Sequence, residues 1–282
     1  VHVLEFQNAG YSYLRSRGYS RRIRQVPLLL TPYGSDIFWY QRYEAHRAKL
    51  EKLLPLASGL SSECERDEIL AKSMGFKGKL LPRIPAFGKI AFARHRIDAS
   101  QRQVIAVKGY QNKWGQASIA LKALSKISQH LSGYQVVLFS CNWSTVYLAK
   151  RFSRLTGLRV TAHRKGSLSH EEVQSIFSIS ALYIGLSKSD GISASMIEAM
   201  ANGAVPIQSD TSCCDEWLIE GQGGFLVRYD DIDEVARLSL RVLNDVQFRR
   251  RAAEVNETEL RSRLSSEAAQ ESALSTYKEL LL

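Results

Sequence analysis

The sequence predicts an α/β fold built from doubly wound parallel sheets, and three observations lead to that prediction. Short apolar runs of strand length recur along the chain, for example at residues 26–30 and 181–186. Between them lie longer segments with apolar residues at every third or fourth position, as in amphipathic helices. The two patterns alternate, which is typical of parallel strands joined by crossover helices. At 282 residues the chain is long enough for two such domains.

The first section, residues 1–96, is interpreted as the remnant of one domain. The chain begins inside a predicted strand and without an initiating Met, so we expect a first strand and its Gly-rich loop to precede Val1. Residues 79–87 are strand-like but contain Pro82 and Pro85, which favours a connection between domains. The predicted elements are a strand at 1–6, a helix at 9–17, a strand at 26–31, a helix at 43–56, an extended segment at 59–63 and a helix at 65–74.

The second section, residues 97–245, is predicted to be a doubly wound domain. Ligands of such sheets bind beyond the carboxyl ends of the strands, where the loops of Lys108 and Asp190 fall. Residues 246–282 are polar and helix-forming, and we expect surface helices that cross back to the first domain. The predicted strands are 103–108, 134–140, 158–162, 181–186, 205–209 and 225–227, and the predicted helices are 117–131, one ending near 155, 169–178, a short one near 195, and 232–243.

The composition is that of a globular protein, with 45% hydrophobic residues. The apolar runs are far shorter than the roughly 20 residues that span a bilayer, so no transmembrane helix is predicted. The cysteines lack C-x-x-C spacing and neighbouring histidines, which predicts reduced thiols in a cytoplasmic protein. They are Cys64, Cys141, Cys213 and Cys214.

The chain is basic, with a formal net charge of +10. Residues 1–100 carry 17 Lys and Arg against 9 acids. Five arginines cluster between Arg15 and Arg24, a pattern that can attract an anionic membrane surface, a lipid-phosphate acceptor or a polynucleotide. A basic face that only aids solubility is an equally good interpretation.

The most informative run is 187–207, which has the pattern of an acidic loop, a short helix, a Gly stop and a new strand. A helix that opens at Ser193 or Ser195 presents unpaired backbone N–H groups, which suit the phosphates of a nucleotide. Asp190 and Glu198 bracket this helix start and are candidates to hold hydroxyl groups. Ser195 and Glu198 also have the spacing of a capping box, and Asp190 alone suits a turn, so both structural alternatives stay open.

Two further strand ends carry candidate binding residues. Lys108 and Lys113 lie in a loop with Gly109, where a lysine can neutralise a leaving diphosphate and a glycine lets the backbone approach a ligand. His163 and Arg164 end another predicted strand. The alternative for each of these four charged residues is an ordinary solvated surface side chain.

Asp231 and Asp233 match the Asp-x-Asp pattern by which some sugar-transferring enzymes hold Mn²⁺ or Mg²⁺. They stand, however, at the start of an amphipathic helix, where Asp is a preferred cap and acids complement the helix dipole. We therefore predict a helix cap, and neither a metal nor another cofactor is expected.

The run from Asp190 to Ile207, with 215–227, resembles the donor half of GT-B retaining glycosyltransferases of family 4, the glycosyl transferases group 1. Asp190 stands where the family usually has Glu, eight residues before Glu198. The resemblance is strong over about 103–245 and loose over 1–88. It implies a GT-B fold with two Rossmann-like doubly wound domains, the first incomplete here, with the donor bound mainly in the second and the acceptor in the first.

The resemblance also implies roles for individual residues. Asp190 would meet the transferred sugar, Glu198 the nucleotide ribose, and Lys108 and Lys113 the diphosphate, although the family typically pairs an Arg with a Lys there. Further donor-binding candidates are Gly109, Gly191, Ile192, Ser193, His163, Arg164 and Glu216. Tyr33 and Asp36 are the acceptor-side candidates.

Tyr33 replaces a histidine that many members of the family have before Gly-Ser-Asp. The structural alternative for this run is a turn followed by Asp36 as a helix cap.

The implied activity is transfer of a sugar, with retention, from a nucleotide diphosphate to a polysaccharide or glycolipid precursor. The location would be cytoplasmic, peripheral at the inner face of a membrane. The incomplete first domain is expected to allow donor binding without turnover. An epimerase or a phosphorylase on the same fold is the alternative. A nucleic-acid-binding protein is less consistent, because no recognition module is present and the aromatic residues are not interleaved with the arginine cluster.

Overall fold

The computed structural model describes residues 1–85, 90–92, 97–264 and 266–281. The chain divides into two compact units. The first comprises Val1–Lys89, Ser189–Ile192 and Leu264–Leu282, and the second comprises Ile90–Lys188 and Ser193–Arg263. Each unit contains a parallel sheet with helices, which confirms the predicted α/β class. The predicted boundary at residue 96 and the last two residues of the segment 79–87 lie outside the described residues.

The sheet of the first unit has four short parallel strands in the order β1-β2-β3-β4. Pro27 has no N–H to donate to a ladder, and the paired part of the predicted strand at 26–31 begins only at Leu29. The strands are β1 (His2–Leu4), β2 (Leu29–Thr31), β3 (Gly59–Leu60) and β4 (Lys79–Leu80). The α-helices up to Ser73 are α1 (Tyr11–Tyr19), α2 (Arg21–Gln25), α3 (Ser35–Phe38), α4 (Glu44–Leu53) and α5 (Glu65–Ser73).

The core of the first unit lies between this sheet and α1, α4 and α5. The helix predicted at 43–56 ends at Leu53, and residues Leu54–Leu56 form a 3-10 turn around Pro55, which cannot continue an α-helical ladder. Helices α2 and α3 have no counterpart among the predictions, because both are too short to show a period.

The sheet of the second unit has six parallel strands in the order β10-β9-β8-β5-β6-β7. The chain moves outward from β5 to β7 and then returns to β8 on the other side of β5, so the direction of winding reverses between β5 and β8. The strands are β5 (Val104–Lys108), β6 (Gln135–Cys141), β7 (Val160–Arg164), β8 (Ser180–Gly185), β9 (Val205–Ser209) and β10 (Phe225–Val227). The helices are α6 (Ala117–Lys126), α7 (Trp143–Thr156), α8 (His170–Ser178), α9 (Ala194–Ala201), α10 (Ile232–Asn244) and α11 (Val246–Arg263).

Strand β8 is buried along its whole length, as a central strand covered by helices on both faces requires. Its Tyr183 packs edge-on against Phe177 of α8, with ring centroids 5.8 Å apart. The buried apolar residues of β5, β6, β8 and β9 form one core with α6, α7 and α10. This core fixes the positions of the strand ends, where the candidate loops begin.

Two helices follow residue 245, and they belong to different units. Helix α11 is part of the second unit, whereas the last helix, α12 (Ser266–Leu281), is part of the first. There the Tyr277 hydroxyl lies 2.9 Å from His2 Nδ1, and Glu279 pairs with Lys79 at 3.0 Å. Among the described residues, no helix combines the length and the apolarity needed to cross a bilayer.

Candidate functional site

Lys108 and Ser193 meet at the point of the second sheet where the winding reverses. Lys108 is the last residue of β5, and its Nζ lies 3.5 Å from the Ser193 hydroxyl. Ser193 is the N-cap residue of the eight-residue helix α9, and its side chain makes no capping hydrogen bond. A lysine beside the N-terminal end of a helix forms a positive environment, which suits a phosphate group.

Glu198 lies one turn further along α9, with 15% of its side chain exposed. Its Oε1 is 3.7 Å from Nδ1 of His170, the first residue of α8. Burial raises the pKa of Glu198 above its ordinary value, whereas His170, a hydrogen bond with Gln174 and the charge of Lys108 each lower that pKa. Glu198 is thus a half-buried carboxyl group near a histidine and a lysine, and it can accept hydrogen bonds from hydroxyl groups.

The helix start decides between the two interpretations of Ser195. Because the N-cap is Ser193 and α9 begins at Ala194, Ser195 is already inside the helix. The capping-box interpretation of Ser195 and Glu198 is therefore wrong, and the predicted helix opening at Ser193 is confirmed.

Asp190, Gly191 and Ile192 belong to the first unit, although they are continuous in sequence with α9. The Asp190 carbonyl accepts a hydrogen bond from the Arg66 guanidinium at 3.0 Å, and the Gly191 N–H donates to Asp190 Oδ1 at 3.1 Å. A Cβ on Gly191 would lie 2.0 Å from Glu63 Oε2. A side chain at this position would require Glu63 to move, whatever ligand the loop binds.

Asp36, an acceptor-side candidate, is also in the first unit, inside the first turn of α3. Its Oδ2 accepts the Tyr33 N–H at 2.8 Å, while the cap position itself is Gly34, which has a φ of 75°. Burial raises the pKa of Asp36 to about 7, and nearby Glu5 and Asp67 add to the increase, while the Tyr33 N–H opposes it. Asp36 is 5% exposed, whereas Tyr33 is 38% exposed.

The loop after Lys108 is fixed by close packing at Gly109. Its N–H donates to the Phe139 carbonyl at 2.8 Å, and its own carbonyl accepts from the Thr145 hydroxyl at 2.8 Å. A Cβ on Gly109 would lie 2.4 Å from the Cys141 sulfur. Lys113, further along the loop, is exposed, and its Nζ lies 4.7 Å from the centroid of the Trp114 ring. Of the two candidate lysines, Lys108 is the one that the structure places beside Ser193.

The end of β7 carries the two remaining basic candidates. The Arg164 guanidinium lies 3.9 Å from the centroid of the Trp143 ring, and Trp143 is 69% exposed. The neighbouring His163 is half-buried, and its backbone N–H reaches the Cys141 thiol. Sequence reasoning did not find Trp143 or His170, because their contacts arise from the packing of elements that are distant in sequence.

Glu216 ends a 3-10 turn, Cys214–Glu216. Its carbonyl oxygen accepts a hydrogen bond from the Arg263 guanidinium, which also stacks 3.7 Å above the Trp217 ring. These contacts place Glu216 at the packing surface of α11.

The Asp-x-Asp pattern is a helix cap, as predicted. Asp231 is the N-cap of α10 and accepts the Glu234 N–H at 2.9 Å. Asp233 pairs with the Lys126 ammonium group of α6. Both carboxylates therefore have structural partners.

Comparison with known proteins gives a family and a fold. Residues 89–259 match the model of a family described as Glycosyl transferases group 1. A comparison with curated protein sequences gives no match.

Among solved structures, a mutant of TarM from S. aureus, in complex with fondaparinux, α-GlcNAc-glycerol and UDP, superposes with a TM-score of 0.74 at 12% identity. That match covers 93% of this chain and 52% of TarM, so this chain spans about half the length of that protein. Sucrose-phosphate synthase from Thermosynechococcus elongatus gives a TM-score of 0.77 at 17% identity, over 99% of this chain and 73% of the synthase. HepE from Anabaena, in complex with UDP and glucose, gives 0.74 at 14% identity, over 99% of this chain and 78% of HepE. Similarity at these identities is similarity of fold.

Proposed function

Because the chain belongs to the glycosyl transferases group 1 family, we propose that it moves a sugar from a nucleotide-diphosphate donor to a carbohydrate or lipid-linked acceptor, with retention at the anomeric carbon. The grouping of Lys108, Ser193 and Glu198 in the second unit is the observation that carries this proposal. It joins a cation and a helix start, which suit phosphates, to a carboxyl group that suits a ribose.

In the proposed site, the Lys108 ammonium group neutralises the diphosphate while Ser193 and the first turn of α9 present polar hydrogens to it. Lys113 is the second candidate for this role. Glu198 accepts hydrogen bonds from the ribose hydroxyl groups, and Asp190 contacts the transferred sugar. Backbone at Gly109, Gly191 and Ile192, with side chains of His163, Arg164 and Glu216, completes the proposed donor-binding set.

The proposed reaction breaks the bond between the anomeric carbon and the diphosphate oxygen and forms a bond to an acceptor hydroxyl oxygen on the same face of the sugar. The hydroxyl proton passes to the leaving phosphate, so no separate catalytic base is needed. The protein contributes position and charge stabilisation. Tyr33 and Asp36 are proposed for the acceptor side, and the transfer is proposed to need no metal, an assignment that an unchanged rate in EDTA would support.

A nucleotide-sugar binding panel tests the donor site directly. Isothermal titration with UDP-, GDP- and ADP-sugars would compare the unmodified chain with Glu198→Ala and Asp190→Ala. Glu171→Ala, which removes an exposed acid from α8, is the matched control. We expect one nucleotide class to bind, both site variants to lose affinity and the control to keep it. Equal affinity in all four proteins would refute the proposed donor site.

Product analysis separates sugar transfer from the alternative reactions. Transfer to an added acceptor with an unchanged anomeric configuration, observed by NMR, is the expected result. A free isomerised sugar nucleotide would indicate an epimerase, and cleavage that depends on phosphate would indicate a phosphorylase.

We also propose a cytoplasmic protein that binds a membrane peripherally. The excess of Lys and Arg over acidic residues, to which the arginine cluster between Arg15 and Arg24 contributes, supports contact with anionic lipid.

A further inference from the structure

One continuous segment of the second unit carries positive charge without any acidic residue. Residues 99–170 contain eleven Lys and Arg and not one Asp or Glu. Residues 1–98 carry 17 Lys and Arg against 9 acids, and residues 171–282 carry 10 against 19, so this segment has the largest positive excess of the three. It forms β5, β6 and β7 together with α6 and α7.

The outward face of α7 combines this charge with exposed apolar side chains. Tyr147 is 67% exposed and Leu155 is 70% exposed, while Ala149 and Phe152 on the opposite side of the helix are buried in the core. The same outward face carries Lys150, Arg151 and Arg154, all exposed. An acid-free helix face of this composition differs from an ordinary solvated face, in which both signs of charge are interspersed.

An apolar groove of about 250 Å³ lies between α6 and α7. Leu121, Leu148, Phe152 and Leu155 form its apolar wall, and Lys122 and Arg151 are its charged members. Among the described residues that line this groove there is no Asp or Glu. At the end of α6, Lys126 pairs with Asp233 of α10.

We propose that the α6–α7 face, defined by Lys122, Tyr147, Lys150, Arg151 and Leu155, docks on the surface of an anionic phospholipid bilayer. Lysine and arginine side chains close to such a surface are attracted to it individually, and tyrosine and leucine enter the interfacial layer. The apolar groove favours lipid over nucleic acid, because phosphodiester backbones and stacked bases offer no aliphatic groups to fill it. This inference is independent of the proposed sugar transfer and concerns a surface separate from the arginine cluster of α1 and α2.

Vesicle flotation with two charge-matched variants tests the docking face. The first variant carries Lys122→Glu, Lys150→Glu and Arg151→Glu, and the second carries Arg21→Glu, Arg22→Glu and Arg24→Glu. All six positions are exposed and both variants change the net charge by the same amount. The vesicles contain phosphatidylcholine with 30% phosphatidylglycerol, and pure phosphatidylcholine vesicles are the reference.

We expect the full chain to float with the anionic vesicles, the first variant to lose at least about 100-fold in partitioning, and the second to lose less than about tenfold. A third variant, Tyr147→Ser with Leu155→Ser, keeps every charge and should release from the vesicles at lower salt than the unmodified chain. Circular dichroism and thermal unfolding verify that each variant is folded.

The following results would overturn the proposal. The first is an equal loss in the two charge-matched variants, which would mean attraction through net charge alone. The second is a loss confined to the arginine-cluster variant. The third is tighter binding to RNA or DNA than to anionic vesicles in the same buffer. Failure of the full chain to bind the anionic vesicles would also overturn it.

Discussion

Asp36 in the first unit is a buried carboxyl group and Glu198 in the second is a half-buried one, and burial raises the pKa of both. Their neighbours differ. The charges that act on Asp36 are the acids Glu5 and Asp67, which push its pKa further up to about 7. Glu198 lies beside the basic residues His170 and Lys108, which oppose the effect of burial. Both carboxyl groups thus hold a proton more readily than a solvated carboxyl group does, but the charged neighbours of Asp36 strengthen this tendency and those of Glu198 oppose it.

The comparison predicts opposite consequences for the same chemical change. Replacing a carboxylate by an amide removes a charge and retains the shape. At Asp36 that charge is a cost to the folded protein near and above neutral pH, whereas at Glu198 it is the property that would bind a donor.

The largest expected effect is a gain of stability in Asp36→Asn at alkaline pH. Because the folded pKa, about 7, lies above the unfolded value of 3.8, protonated Asp36 contributes stability that is full below pH 4 and is lost as the pH rises through 7. Asparagine keeps an oxygen to accept the Tyr33 N–H and has no proton to lose. We expect the variant to exceed the unmodified chain at pH 8 by up to about 4 kcal/mol, with the difference closing toward pH 5.

Thermal unfolding from pH 5 to 8 measures this difference. Glu51→Gln, at an exposed carboxylate paired with Arg47, is the control and should show no such trend. A difference between Asp36→Asn and the unmodified chain that does not change with pH would contradict the assignment.

Lys108→Ala tests the cation beside Glu198. Loss of a charge aimed at a leaving diphosphate is expected to cost about 2.7–4 kcal/mol in the transition state, or at least ~100-fold in turnover. The assay is turnover of the donor identified by the binding panel. Lys52→Ala removes an exposed lysine from α4 and should leave turnover unchanged.

Lys113→Ala, made in parallel, shows whether the second lysine shares the role. Normal turnover in both Lys108→Ala and Lys113→Ala would rule out the proposed clamp.

Glu198→Gln sharpens the comparison with Asp36→Asn. Hydrogen bonds to charged acceptors contribute about 1.5–3 kcal/mol, so donor affinity should fall roughly 10- to 100-fold. Titration calorimetry against Glu171→Gln, an exposed acid of the adjacent helix, gives the measurement. Unchanged affinity in Glu198→Gln would show that this carboxylate contacts no part of the donor.

His170→Ala should produce the smallest effect, and it should depend on pH. His170 Nδ1 lies 3.7 Å from Glu198 Oε1, and the His170 side chain is 61% exposed. This ion pair should therefore contribute less than about 1 kcal/mol. Donor affinity should rise with pH as Glu198 loses its proton. Because His170 lowers the pKa of Glu198, removal of His170 should move this rise to higher pH, so the loss of donor affinity should be greater at pH 6 than at pH 8. His130→Ala, at another exposed histidine, is the control, and an equal loss at all pH values would assign His170 a purely structural role.

Much of the fold could be predicted, because strong local signals coincide with the tertiary structure. The strands 205–209 and 225–227 have the observed bounds, since each is a short apolar run placed after glycines that end the preceding element. Helix α2 was missed because Arg21–Gln25 is dominated by charge and shows no apolar period. Helix α3 has only four residues, fewer than a periodic pattern needs.

The candidate site was predictable only where it follows from topology. The approach of Lys108 to Ser193 is a consequence of the reversal between β5 and β8. The motif from Asp190 to Glu198, continuous in sequence, is divided between two units in the structure, which no local pattern reveals. The charge asymmetry was visible in the sequence, but a count over residues 1–100 directed attention to the arginine cluster and away from 99–170.

All four cysteines are buried thiols, and burial raises the pKa of the Cys141 thiol to about 11. A maleimide reacts with accessible thiolates, so the unmodified chain should label slowly at pH 7. A single cysteine introduced at the exposed position Ser144 or Ser125 would then carry a fluorophore at one known place, without prior removal of any native sulfur.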